Sequence, residues 1–493
     1  MANKNGWCPS TIGYLIDSAT LTSIVSAVQK RAFDSKSHTG CRIERCEASI
    51  IDPEQYEAKH TDPGCNCEWI RPPLADVKTL ISQNYVPVIT FQDLSPWEQP
   101  SFSVDSFRNK AYIAISHVWS DGLGSTTEKG LPLCQVRRLS NLATELIPGG
   151  AFWIDSLCVP SEKGPRRSAI GLMALTYSDA QKVLILDESI QRLPFSAPVE
   201  DRLLCALSSG WMRRLWTLQE GALSRELLFR FQDVSMPAPE LISRVGQLAL
   251  SSVLSGLSSV IYRILKKKQN DSYFSIGDVA RALRWRTTSR PSDETLAIAS
   301  LLGIDPLALL AEDKSERRFA KLLEAVGAVP RNILFASGAK MTEPGLRWAP
   351  RTFMTARGGL SLTINETEAC VSPRGLVAEY ASYVFDAREL GAERFWHISL
   401  PKEDAMLRIA DAFEQEGTFR CNVLLFPHHL ATGEALAAVG AVSVPENLTE
   451  AMDSENVLHC VYQRRLIARR VLLGHGENML SAKWKGIVKI CIG

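Results

Sequence analysis

The stretch "AYIAISHVWSDGLG", Ala111 to Gly124, runs from five residues of buried-strand character straight into Ser116, His117, Trp119 and Asp121. Hydroxyl, imidazole, indole and carboxylate at the end of a strand are groups that orient a polar ligand and stack on a flat one. Asp155, Ser156 and Cys158 follow "AFWI" in the same way, and Asp187 follows "KVLIL". In open parallel sheets, ligands bind outside the carboxyl ends of the strands, where loops and helix N-termini converge. Three strand ends delivering polar groups to one edge therefore read as a site. Structural duties remain open for individual members. Asp155 as a helix cap, His117 as a backbone-bonded core histidine and Cys158 as a small core residue are the alternatives, and the glycines of "DGLGS" serve a turn as readily as a phosphate.

A second segment, "GWMRRLWTLQEGALS", carries a carboxylate. On a helical wheel Trp211, Leu215, Leu218 and Ala222 form one core-facing stripe, while Trp216 and Glu220, four apart, lie away from it. The positions three and four from Glu220 are Trp216, Thr217, Leu223 and Ser224, so no local cation neutralises it. A tertiary pair with an arginine stays open.

Cys41, Cys46, His60, Cys65 and Cys67 are the types that bind zinc. Zinc knuckles usually space paired cysteines by two to four residues, and C-x-C is tighter than that. The reading adopted is of scattered reduced cysteines with no metal. A cysteine-protease pairing of Cys158 with His117 lacks any local oxyanion hole and is set aside.

The elements that position these groups follow from patterning. From Ala111 strand and helix alternate through "YIAIS", "AFWID", "KVLIL" and "LLFRF", which predicts a parallel sheet covered by helices. Residues 236–330 read as helical, with Ser292 as an N-cap before "ETLAIASLLGI". Beyond Arg331 alternating polar and apolar residues predict antiparallel strands of a sandwich or barrel. The expected organisation is an N-terminal extension at 1–105, an α/β core at 106–235, a helical region at 236–330 and a β-rich domain at 331–493.

A chain of 493 residues exceeds a single core, so two or three domains are expected. Apolar content of 45% and charged content of 22% are those of a globular protein. With 55 basic and 54 acidic residues the formal charge is +1, and no field exists to gather nucleic acid. "RILKKK", Arg263 to Lys268, reads as a solvated helix end, and Val245 to Tyr262 as a packed amphipathic helix instead of a membrane span. The N-terminal sequence lacks the apolar run of a secretory signal, and twelve cysteines then imply a reducing compartment, the cytoplasm, with unpaired thiols.

"YIAISHVWSDG", "FWIDSLCVP", "MALTYSDAQKVLILD" and "WMRRLWTLQEGAL" resemble, in order, the motifs of the HET domain of fungal heterokaryon incompatibility proteins. "RTTSRPSDETLAIASLLGI" and "LRWAP" resemble segments that often lie downstream of those motifs in that family. His117 stands where the family often has tyrosine. The HET domain is in turn similar to the TIR domain, whose enzymatic members cleave NAD with a glutamate in a Trp-x-x-x-Glu arrangement, matched by Trp216 to Glu220. The resemblance implies a TIR- or flavodoxin-like fold, with Glu220 catalytic and Ser116, His117, Trp119, Asp121, Asp155 and Trp216 binding substrate. It also implies a role in self/non-self recognition or programmed cell death, with NAD as substrate and no other cofactor. The alternative of a different class is a non-catalytic module that self-associates or binds a protein partner.

Overall fold

The structure is a computed structural model describing residues 5–18, 21–34, 36–52, 56–93, 100–243, 273–355, 369–390, 395–400, 405–411, 417–428, 436–444, 457–471 and 479–493. The expected helix at 245–262 and the basic run at 263–268 lie outside the described residues. The chain divides into two compact units, Met1–Tyr273 with Trp285–Ala311, and Phe274–Arg284 with Glu312–Gly493. The segments expected at 1–105 and 106–235 thus fall in one unit, and the helical segment is shared between the two.

The first unit is built on a seven-stranded sheet: β1 (Pro87–Gln92), β2 (Ser101–Ser106), β3 (Ile113–His117), β4 (Phe152–Trp153), β5 (Lys182–Leu186), β6 (Leu227–Arg230) and β7 (Ser235–Pro237). Their spatial order is β2-β1-β4-β3-β5-β6-β7. β3 pairs in parallel with both β4 and β5, and β5 with β6. β1, β2 and β7 are antiparallel additions at the edges. All five residues of β3 are buried, as a strand covered on both faces requires. The helix Leu133–Leu146 between β3 and β4 buries Val136, Leu139, Leu142 and Ala143, one stripe at helical spacing.

Counted along the chain, the four parallel strands lie in the order 2-1-3-4. The chain leaves β3 toward one side of the sheet and returns to continue on the other. Connections on either side of such a strand diverge, and a crevice opens at its carboxyl end. Ser116 and His117 are the last residues of β3.

The segment expected as one helix after Ser209 is two, Gly210–Arg213 and Thr217–Leu223. The break has a backbone cause. Leu215 N–H donates to Thr287 O at 3.0 Å and Thr287 N–H to Arg213 O at 2.7 Å, so the groups that would continue the helix are spent on a distant segment. The Thr217 hydroxyl then donates to Arg214 O at 2.8 Å. The stripe of Trp211, Leu215, Leu218 and Ala222 is buried nonetheless. Ser292, expected as an N-cap, is instead inside a 3-10 turn, Pro291–Asp293, that leads into Glu294–Ala299.

In the second unit Ile276–Leu283 begins with a reciprocal capping box between Ser275 and Asp278. Its ten-stranded sheet is mainly antiparallel. Gly375–Leu390, Phe419–Phe426, Leu436–Ser443, Leu458–Val471 and Lys483–Ile492 pair successively, and the last pairs back to the first, closing a ring. Tyr383, Leu424, Val439 and Leu466 are part of its core. Among the described residues no helix is long and apolar enough to cross a membrane.

Asp187 caps the helix Glu188–Arg192, accepting N–H bonds from Ser189 at 3.0 Å and Ile190 at 3.3 Å, and it also accepts Trp211 N–H at 3.1 Å. Asp187→Ala strands these three donors in the interior. It should lower the free energy of unfolding in urea by about 2 to 3 kcal/mol, and a loss below about 0.5 kcal/mol would contradict the capping role.

Candidate functional site

Glu220 lies in the second helix of the broken pair and is 7% exposed. Ser116 Oγ, at the end of β3, donates to Glu220 Oε2, and the same hydroxyl oxygen accepts Trp211 Nε1–H at 2.6 Å. The Trp211 backbone is in turn held by Asp187. Tyr177, whose ring is buried, also hydrogen-bonds the carboxyl. Among the described residues no lysine or arginine forms a salt bridge with Glu220. Burial raises its pKa to about 7; the Ser116 hydrogen bond opposes that rise and the negative charge of Asp155 adds to it.

Beside it stands a second charged group that is already paired. His117 Nε2–H donates to Asp155 Oδ1 at 2.7 Å, and Trp119 Nε1–H donates to Asp155 Oδ2, also at 2.7 Å. The Ser156 backbone N–H gives Asp155 a third bond at 2.7 Å. Burial disfavours both charges, yet their mutual attraction outweighs it, raising His117 and lowering Asp155. An imidazolium–carboxylate pair results. Among the described residues His117 Nδ1 is buried with no hydrogen-bond partner.

These residues border a cleft of about 670 Å³, within the range of small-molecule sites. Glu220, His117, Asp155, Trp119 and Trp216 all line it. Tyr56 and Trp69 add aromatic wall, with the Tyr56 ring stacked beside Trp119 at 6.3 Å and 25°. Trp216 is fixed by its Nε1–H, which donates to Asp293 Oδ2 at 3.2 Å. Arg166, Arg214 and Arg290 also line the cleft, and among the described residues none of the three forms a salt bridge. Arg166 is held below the usual guanidinium value by burial first and by the Arg290 charge second. Cations that repel one another across a cleft favour an anionic ligand.

Five of the seven residues singled out in sequence thus meet around one space, and two do not. Ser116 has no exposed surface and acts on Glu220, not on the cleft. Asp121 lies outside the cleft lining: Lys36 Nζ pairs with its Oδ1 at 2.6 Å, and its Oδ2 accepts Glu188 N–H at 2.9 Å. Asp187 is spent as a cap. Cys158 is fully buried with its thiol pushed up to about 12, so it is inert. In "DGLGS", Gly124 packs against the Trp119 indole so closely that a Cβ would lie 2.6 Å from the ring. That glycine positions an aromatic wall. Tyr56, Trp69 and the three arginines were not anticipated; Arg214 and Arg290 stand inside stretches already noted for other reasons, whereas nothing local marks the others.

Comparison of the chain with protein-family models, with curated proteins and with solved structures finds no match.

The raised pKa of Glu220 has a consequence for stability. Between about pH 4.5 and 7 the folded protein holds a proton that the unfolded chain has released, so this group's contribution falls as pH rises through that window. Glu220→Gln removes the dependence. The variant's thermal midpoint should exceed that of the wild type by more at pH 8 than at pH 5, and an equal difference at both would contradict the buried, unpaired carboxylate.

Proposed function

We propose that this protein cleaves the bond between ribose and nicotinamide in NAD, with Glu220 as the catalytic residue, as an effector of heterokaryon-incompatibility type. The observation that carries the reading is a buried carboxylate in a cleft walled by aromatics and lined by arginines, none of which forms a salt bridge among the described residues. A dinucleotide presents the complementary features. Its flat bases suit Trp119, Trp216 and Tyr56, and its phosphates suit Arg166, Arg214 and Arg290. The sheet order 2-1-3-4 begins the 2-1-3-4-5 order of flavodoxin-like sheets and supports the TIR-like reading of residues 106–235.

The chemistry matches the site. As the C1′–N bond breaks, its electron pair leaves with nicotinamide, which becomes neutral, and positive charge develops on the ribose ring. An ionised Glu220 stabilises that charge more than it stabilises the ground state. Water then adds to C1′ and loses a proton, giving ADP-ribose. The His117–Asp155 pair holds Asp155 and Trp119 in fixed positions beside the reacting sugar. No general acid is required, because the leaving group already carries its positive charge.

Purified full-length protein should convert NAD to nicotinamide and ADP-ribose, and Glu220→Gln should lower kcat by about 100-fold or more. Because the ionised carboxylate is the active form, kcat/KM should rise about tenfold per pH unit below about 7 and level off above it. An unchanged rate in the variant would overturn the role of Glu220, and no NAD loss with wild type would overturn the proposal and assign the domain to the non-catalytic role.

A further inference from the structure

Among the described residues two groups of four cysteine and histidine side chains lie outside the cleft, and neither contributes to it. Cys8, His38, Cys41 and Cys46 form one, and His60, Cys65, Cys67 and Cys134 the other. Within each group one ligand atom per residue lies within 4.8 Å of all the others. We propose that each group binds one zinc ion, and that the two ions fasten both ends of residues 47–59, the segment that supplies Tyr56 to the cleft wall.

The distances among His38, Cys41 and Cys46, and from His60 to Cys67 and Cys134, are close to those of a tetrahedron around zinc. With Zn–S near 2.3 Å and Zn–N near 2.0 to 2.1 Å, tetrahedral angles put ligand sulfurs about 3.8 Å apart and sulfur and nitrogen about 3.6 Å apart. Cys41 Sγ lies 3.8 Å from Cys46 Sγ, and His38 Nδ1 lies 3.6 and 3.7 Å from those two sulfurs. In the second group His60 Nδ1 is 3.3 Å from Cys67 Sγ and 3.5 Å from Cys134 Sγ. A disulfide would need about 2.0 Å, and all twelve cysteines are free thiols.

The surroundings suit thiolates and a ligating imidazole. Glu47 N–H donates to Cys41 Sγ, Thr61 N–H to Cys134 Sγ and Cys134 N–H to Cys67 Sγ, each at 3.3 Å. Asp34 Oδ2 lies 3.3 Å from His38 Nε2, the supporting carboxylate that leaves Nδ1 free to bind metal. Three thiolates and one imidazole select zinc over magnesium or calcium, and a set of four protein ligands marks a closed, structural site.

Spacing concealed this. The five residues that sequence groups as one cluster belong to two, and each is completed from elsewhere: Cys8 and His38 in the first, Cys134 at the start of the helix Leu133–Leu146 in the second. Between Cys46 and His60 the only regular element among the described residues is the short turn Glu47–Ser49. Yet Ile51, Tyr56, Glu57 and Ala58 line the cleft. The Tyr56 hydroxyl donates to Trp119 O and accepts Gly124 N–H at 2.9 Å, and Lys59 N–H donates to Gly122 O at 2.8 Å. Residues 47–52 and 56–59, with so little regular structure of their own, keep such contacts only when the ends of the segment are held, since ordering each residue costs about 1 to 2 kcal/mol.

Elemental analysis of the full-length protein, purified without chelator and supplied with zinc, should give two equivalents per chain. Cys46→Ser and Cys134→Ser should each remove one. Cobalt in place of zinc in the wild type should give the strong d–d absorption of a tetrahedral thiolate site, which needs no variant to fold. Less than half an equivalent of zinc together with no such absorption would overturn the proposal. A single equivalent would overturn it for whichever group can be substituted without changing the count. Stripping the metal should make backbone amides of residues 47–52 and 56–59 exchange about tenfold faster or more, and unchanged exchange there would overturn the fastening role.

Discussion

A carboxyl group removed from water, with no salt bridge to lysine or arginine among the described residues, depends on neutral donors, and the arrangement around Glu220 is organised to supply them while the His117 charge adds a smaller attraction. Ser116 gives it a hydroxyl, Trp211 fixes that hydroxyl and Asp187 fixes the backbone of Trp211. These groups come from the ends of two parallel strands and from a short helix, so the sheet must set all three before the carboxylate is placed. Neutral hydrogen bonds offset only part of the desolvation, and the rest is expressed as a pKa near neutrality. A fold that only needed stability there would be better served by an apolar side chain of similar volume.

The neighbouring charges are handled differently, and the contrast assigns the roles. Asp155 is saturated by His117, Trp119 and its own helix start, which makes it a fixed support for an indole and a fixed negative potential. The arginines of the cleft are cations that form no salt bridge among the described residues, complementary to phosphate. Under the proposed reading the deep carboxylate meets the ring that becomes cationic, and the arginines meet the phosphates of the dinucleotide.

Much of the α/β unit was legible because its signals are local. "YIAIS", "KVLIL" and "LLFRF" are continuous apolar runs of strand length, and they pair in parallel as such runs do when both faces are covered. The helix break at Arg214 was not legible, since its cause is Thr287, more than seventy positions away. Asp121 looked like a cleft residue because strand ends supply ligands, but Lys36, from a distant loop, claims it. Tyr56 and Arg166 carried no local signal at all. The cysteines show the same limit: residues at 8 and 134 complete groups whose other members are adjacent in sequence, and only the folded chain brings them within reach.

The proposed chemistry turns on the protonation behaviour of one side chain, and the most direct measurement is a carbon-13 NMR titration of the glutamate carboxyls, with Glu220→Gln supplying the assignment. The expected result is a midpoint for Glu220 near 7 that moves downward when a non-hydrolysable NAD analogue keeping the cationic nicotinamide ring is added, because that ring beside the carboxylate favours its ionised form. A midpoint near the ordinary value of about 4.3, or one that the analogue leaves unmoved, would contradict it.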